Sequence, residues 1–484
     1  MSPSPLGSRF REVCRDRARS IAIHGITTGT TVTFQELART CEIVQAALSD
    51  LRISPGAAVV SFVGNHPVFF STIVACLEAG VALVPLGEAT DAEAVTVIEQ
   101  VGAAAVITDR VLPLGSASRY SVTPSVSVHK LVGDSSQRRF PPSVVLKLTS
   151  GSTHVPKAAM ASEMNLVNDG RHVIDAMGIG PEDVNFGCIP LSHSYALGNI
   201  VMPLLWQGSP VALRHSFNPA QFVAEMTASG ATVFPGVPFM FERIKSLGIE
   251  QWPSKLRLLI TAGAPIDRAT VSWFRAHLNR KVHSFYGSSE TGGIAYDDSD
   301  DVGETVDVGR AMPETTVSIG QPVEGAEAGR IFVAGNAVTS GYANSDSDDS
   351  QSAFCEGGFL TGDIGYVNDL GRLILTGRIS SLVNVSGRKV DPAEVQRKLL
   401  ELAGIADAQV LGIACQTRGQ ELVAFVIRTD ATLTPIAIRQ KCAESLSTHK
   451  IPRRFVFVDR FPINLRGKID RLALQRLASG VSSE

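Results

Sequence analysis

The stretch AAVVSFVGNHPVFFSTIVACLEAGVALVPLG, residues 57–87, decides the fold class. Its first part, AAVVSFVG (57–64), is a continuous apolar run rich in valine, as expected of a strand buried on both faces. FFSTIVACLEAG (69–80) has helical spacing and stops at a glycine, and VALVPLG (81–87) is strand-like again. A helical stretch follows around 91–101, and AAAVITD (103–109) reads as another strand. The order βαβαβ predicts a parallel sheet covered by helices. The same alternation returns between 184 and 290. There VNFGCIPL, a helix near 196–207, SPVALR, a helix near 219–229, ATVFPGVP and LRLLITAGAP succeed one another.

The character changes further along. Residues 302–375 carry short alternating runs such as GRIFVAG and GRLILTGR, which predict a small β-rich subdomain. After Arg378 come a helix near 391–402, AQVLGIAC, ELVAFVIR, a helix near 435–447 and RRFVFVD, enough for a separate small α+β domain. The expected architecture is a large N-terminal multi-sheet α/β domain with a β-rich subdomain (1–378), followed by a small α+β domain (379–484). A chain of 484 residues exceeds what one hydrophobic core usually supports, which agrees with two domains.

Composition narrows the function. A net charge of -3 with no basic stripe disfavours nucleic acid as a partner. The seven cysteines include no CxxC pair, which fits free thiols in a reducing compartment better than disulfides or zinc. No signal-like segment opens the chain and no run approaches the ~20 apolar residues of a membrane span. A cytoplasmic protein is the expectation.

LTSGSTHVPKAAM (148–160) follows the apolar SVVLKL and predicts a loop leaving a strand. Thr149, Ser150, Ser152 and Thr153 offer hydroxyl donors. Gly151 lets backbone N–H groups approach an anion, and Lys157 brings positive charge. The loop suits a triphosphate, yet it is not GxxxxGK[ST], which disfavours a P-loop kinase.

This loop resembles the signature of the adenylate-forming superfamily of acyl- and aryl-coenzyme A ligases, peptide-synthetase adenylation domains and luciferases. His154 and Ala158 stand where that pattern usually has glycine. Further segments resemble the family's in the same order, from about 149 to 468. CIPLSHSYALGN (188–199) matches the acyl-pocket segment. LLITAGAPI (258–266) matches the turn lining the adenine, and HSFYGSSETGG (283–293) the YGxTE segment. GFLTGDIG (358–365), LTGRISSLVNVSGRKVDPAEV (375–395) and NLRGKIDR (464–471) complete the series.

The resemblance implies roles. Thr149, Ser150, Gly151, Ser152, Thr153 and Lys157 would serve the phosphates of ATP. Gly263, Ala264 and Pro265 would line the adenine, with Tyr286 stacked on it and Gly287 and Ser288 beside it. Thr291 would donate to the α-phosphate, Glu290 would hold Mg²⁺, Asp363 would accept the ribose hydroxyls, and Arg378 would reach ribose or phosphate. Lys468 would be the catalytic lysine of the small mobile domain, with His193 and Lys157 the other catalytic candidates. Ser380 and Asn384 depart from the family's hinge pattern.

His193, Ser194, Tyr195, Gly236 and Val237 would bind the acid. Amino-acid-activating relatives usually carry Asp where Ser194 stands. A buried ammonium without a carboxylate costs several kcal/mol, which favours an acid without an α-amino group. The implied reaction is an acyl-adenylate passed to a thiol, that of coenzyme A or of the phosphopantetheine on an acyl carrier protein. A non-catalytic nucleotide-binding homologue is the alternative of another class.

Overall fold

The computed structural model describes residues 3–480 except 88, 113–114, 133–138, 150–156, 250–251, 304–305, 324–327, 344–351, 380–382, 386–387, 416–418, 445, 447 and 464–468. Two compact units are present: residues 1–317 with 333–359, and residues 318–332 with 360–484.

The first unit carries both sheets expected from the alternating pattern. In one, the strands Ala58–Phe62, Ala82–Pro85, Ala105–Thr108 and Val144–Thr149 run parallel. Lys157–Ser162 closes one edge antiparallel to Val144–Thr149, and Ser116–Ser121 with Ser127–Leu131 close the other. In the second sheet Val282–Ser288, Leu258–Thr261, Val233–Gly236, Asn185–Gly187, Val211–Leu213 and Ile21–Gly25 are parallel neighbours in that order.

The helix predicted near 69–80 is Val68–Glu78, and it is buried along almost its whole length. Phe69, Phe70, Ile73 and Val74 lie in the same core cluster as residues of both sheets, among them Val59, Leu83, Phe186 and Val211. That explains why its sequence is apolar on every side. Truncating the fully buried Phe70 to alanine would cost about 3–5 kcal/mol. Asp91–Val101 forms as expected, entered through a Thr90–Glu93 capping box and closed by left-handed Gly102.

In the second unit, Gly358–Val367 and Leu373–Arg378 pair antiparallel. Arg388–Val390, Val383–Val385, Gly419–Arg428 and Ile405–Cys415 make the sheet of the terminal part, with Arg454–Phe457 parallel to Gly419–Arg428. Leu422, Ala424 and Val426 pack with helices Pro392–Leu400 and Pro435–Ala443. Val423 and Phe425 pack with helix Arg471–Gly480. Burial on both faces accounts for the unbroken apolar run ELVAFVIR.

Candidate active site

Parallel strands present ligands at their carboxyl ends, and three of the quoted motifs lie there in the first unit. Gly263, Ala264 and Pro265 are exposed just past the strand Leu258–Thr261. Gly263 has φ +86° with open space around its Cβ position, so backbone conformation requires the glycine. Gly236 ends the strand Val233–Gly236, where a Cβ would come within 3.0 Å of the rings of Phe234 and Phe241. Val237 follows it, half-buried, at the start of helix Pro238–Ser246.

Hydrogen bonds draw distant segments together. Ser194 Oγ donates to Ser289 Oγ at 3.0 Å. The Tyr195 hydroxyl donates to the carbonyl of Ile260 at 3.1 Å, and its ring lies 5.9 Å from that of Phe285. Burial pushes the Tyr195 phenol well above its ordinary pKa, so it remains a donor. His193 is exposed and sits at the N-cap of the following helical segment without capping it through its side chain. The helix then widens into a π-turn at Leu197–Val201, where Asn199 Nδ2 donates to the Tyr195 carbonyl at 3.2 Å.

Tyr286, Gly287 and Ser288 end the strand Val282–Ser288, which returns through a tight turn to Gly292–Tyr296. Ser288 Oγ accepts from the N–H groups of Glu290 and Thr291, both at 3.2 Å, and lies 3.0 Å from Thr291 Oγ1. The second serine of YGSSE therefore reaches the Ser194 side, and the first shapes the turn that presents Glu290 and Thr291. Glu290 Oε1 accepts from the Tyr342 hydroxyl at 2.6 Å. Burial and the neighbouring carboxylate push the Tyr342 phenol far up. Lys157 Nζ lies 5.5 Å from the centre of the Tyr342 ring. Tyr342 was not among the sequence candidates: it follows the stretch NAVTSG (336–341), which carries no motif by itself.

Thr149 and Lys157 are paired residues at the mouth of an antiparallel hairpin, so strand register fixes where the phosphate loop begins and ends. Ser150, Gly151, Ser152, Thr153 and His154 lie outside the described residues, as do Ser380 and Lys468.

In the second unit, Asp363 and Arg378 are cross-strand partners, with Arg378 Nε 2.6 Å from Asp363 Oδ1. The Asp363 N–H donates to Thr361 Oγ1 at 3.1 Å. Their motifs, TGD and TGR, are thus two rungs of one hairpin. Asn384 lies in the short strand Val383–Val385.

A separate cleft of about 100 Å³ in the first unit opens where strands Ala58–Phe62, Ala82–Pro85 and Ala105–Thr108 end, lined by Gly64, Asn65, Gly87, Arg110, Pro190 and His215. The Arg110 guanidinium stacks 4.3 Å from the centre of the Phe62 ring. Asn65 Nδ2 donates to the carbonyls of Ile189 and Arg214, and its Oδ1 accepts from the N–H of Leu191, which ties the cleft to the segment before His193.

Paired sheets with these turns at their strand ends define an AMP-binding fold. Residues 10–343 match the AMP-binding enzyme family, and residues 394–468 match the AMP-binding enzyme C-terminal domain; the chain belongs to this family of AMP-forming acid–thiol ligases. It is similar to 2-succinylbenzoate–CoA ligase of Geobacillus kaustophilus, 31% identical over 336 residues, covering 68% of each chain. It is also similar to sulfoacetate–CoA ligase of Cupriavidus necator, 28% identical over 337 residues, 68% of this chain and 66% of that one. Among solved structures, ATP-bound MatB from Rhodopseudomonas palustris superposes with a TM-score of 0.81 over 99% of both chains at 23% identity. No helix among the described residues is long and apolar enough to cross a membrane.

Proposed function

We propose that the protein uses ATP to activate an aryl or aliphatic acid without an α-amino group and then transfers the acyl group to coenzyme A. The observation that carries this reading is the meeting of Ser194 with Ser289 and of Tyr195 with Ile260, which gathers three sequence-distant motifs beside the turn bearing Glu290.

In the first half-reaction a carboxylate oxygen of the acid attacks the α-phosphorus. The bond to the bridging oxygen breaks, and pyrophosphate leaves with the electron pair. The protein's work is alignment and neutralisation of charge. Lys157 and Lys468 offset the phosphates, Thr149 to Thr153 and Thr291 donate to them, Asp363 and Arg378 hold the ribose, and Gly263 to Pro265 and Tyr286 to Ser288 hold the adenine. In the second, the acceptor sulfur attacks the acyl carbon and the carbon–oxygen bond to AMP breaks. In this reading His193 serves between the acid and the thiol, and Gly236 and Val237 bind the acid.

Glu290 fits a Mg²⁺ role. It is a hard oxygen donor whose Oε2 accepts no hydrogen bond among the described residues. When bound, the ion neutralises phosphate charge.

Ser194 accepts and donates but brings no carboxylate for an ammonium, which supports an acid lacking one. The Arg110 cleft supports coenzyme A over a carrier-borne thiol: a guanidinium stacked on Phe62 beside His215 suits a phosphorylated handle. The functional boundary we propose is 378/379. The test is pyrophosphate release over an acid panel, repeated with coenzyme A, pantetheine and a carrier protein. Release with an aryl or fatty acid, and an Arg110→Ala variant impaired for coenzyme A but not for pantetheine, are the expected results. Release only with amino acids overturns the substrate class. Equal use of the carrier overturns the acceptor. Nucleotide binding without acid-dependent release makes this a non-catalytic homologue.

A further inference from the structure

Lys147 is a buried lysine that the proposed reaction does not use. It lies in the strand Val144–Thr149 and is only 2% exposed. It pairs with Ala159 across the antiparallel hairpin, and Ala159 bridges to Tyr342. Directly opposed residues share a sheet face, so Lys147 and Tyr342 lie in one row on one face. Val145 and Ala161, on that face, share a core with Leu166 and Val167 of helix Glu163–Met177.

Two carboxylates are held at this place. Asp169, on that helix, accepts from the N–H of Gly293 at 2.8 Å. A Cβ at Gly292 would lie 2.5 Å from Asp169 Oδ1, and one at Gly198 would lie 3.3 Å from Oδ2, so glycine backbone seats this side chain on two sides. Glu290 is held by Tyr342. Among the described residues the side chain of Lys147 makes no hydrogen bond and no ion pair within 4.0 Å, while its backbone belongs to the hairpin ladder. Burial pushes its pKa down, while the charges facing it, Asp169 and Glu290, oppose that. An ammonium this deeply set is costly unless nearby charge compensates.

We propose that Lys147 is a resident counter-charge for Asp169 and Glu290, a positioning residue that acts through the Ser288–Gly292 turn before the metal–nucleotide complex arrives. The inference rests on the reading of Glu290 as the Mg²⁺ ligand. Removing the ammonium takes one compensating charge from buried Asp169 and half-buried Glu290, and it also removes a like charge from the approach of Mg²⁺.

The test is thermal unfolding of the full chain as wild type, Lys147→Met, Asp169→Asn and the double variant, each with and without Mg²⁺. Lys147→Met is expected to lower the midpoint. Adding Asp169→Asn is expected to raise it again, and Mg²⁺ to raise it more than in wild type. Calorimetric titration of nucleotide at varied Mg²⁺ is expected to show half-saturation at about tenfold lower Mg²⁺ in Lys147→Met. Additive losses in the double variant, or an unchanged Mg²⁺ titration, overturn the proposal. If Lys147→Met alone does not fold, recovery of folding in the double variant supports the proposal and its absence overturns it. None of these readouts needs an acid or turnover. A coupled pair in a wild type that releases no pyrophosphate removes the ligase reading alone, and an additive pair in an active wild type removes the counter-charge alone.

Discussion

Two buried lysines of the first unit are solvated by the protein in opposite ways. Lys281 spends all three of its N–H donors: on the carbonyl of Ser299 at 2.9 Å, on that of Asp301 at 2.7 Å and on Asp297 Oδ2 at 2.7 Å. Lys147 is as deeply buried and is compensated only at longer range, by Asp169 and Glu290. A lysine whose donors are all spent is a strut, holding the 297–301 segment against the strand Val282–Ser288. One without a direct ion pair, compensated at longer range by a candidate metal ligand, tunes charge, since its energy depends on what else enters the site.

The largest effect expected is at the strut. Lys281→Met leaves Asp297 without its lysine and should lower unfolding free energy by about 3–5 kcal/mol in urea titrations. The apparent KM for ATP should stay unchanged. A loss under about 1 kcal/mol would erase the contrast with Lys147. Next, Glu290→Gln should slow acid-dependent pyrophosphate exchange by about 10²–10³, the cost of losing one preorganised charge-stabilising group. A normal exchange rate there would strip Lys147 of the partner through which it acts.

Asp363→Asn, in the other unit, should raise KM for ATP by about tenfold or more, since hydrogen bonds to a charged group contribute about 1.5–3 kcal/mol. Its response to Mg²⁺ should match wild type, which keeps the Mg²⁺ signature specific to the Lys147 surroundings. The smallest effect is expected at Tyr195→Phe. It loses one satisfied hydrogen bond to Ile260 and should cost about 0.5–1.5 kcal/mol of stability. Like Lys281, it should leave Mg²⁺ dependence alone.

Much of the fold was legible. VVSF, LVP and VIT are apolar because both faces of their strands are covered, and Val68–Glu78 because it is buried between sheets. The polar motifs were legible too, since hydroxyl, glycine and carboxylate residues cluster in short runs past strand ends. Tyr342, Asp169 and Lys147 were not. Lys147 is one charge inside an apolar strand, and Asp169 sits in an ordinary amphipathic helix. Each acquires meaning from a partner well outside its own motif, as Tyr342 does from Glu290 and Asp169 from Gly293.

The amino-acid sequence by itself determined the alternation of strands and helices, the family, and the local chemistry of each motif, because periodicity and short-range spacing are properties of neighbouring residues. Tertiary structure alone decided that Ser194 meets Ser289, that Tyr342 holds Glu290, and that Asp169 accepts from the N–H of Gly293. The physical reason is that hydrogen bonding and compensation of buried charge depend on distance in space, which the pairing of strands and the packing of one helix fix only once the chain has closed on itself.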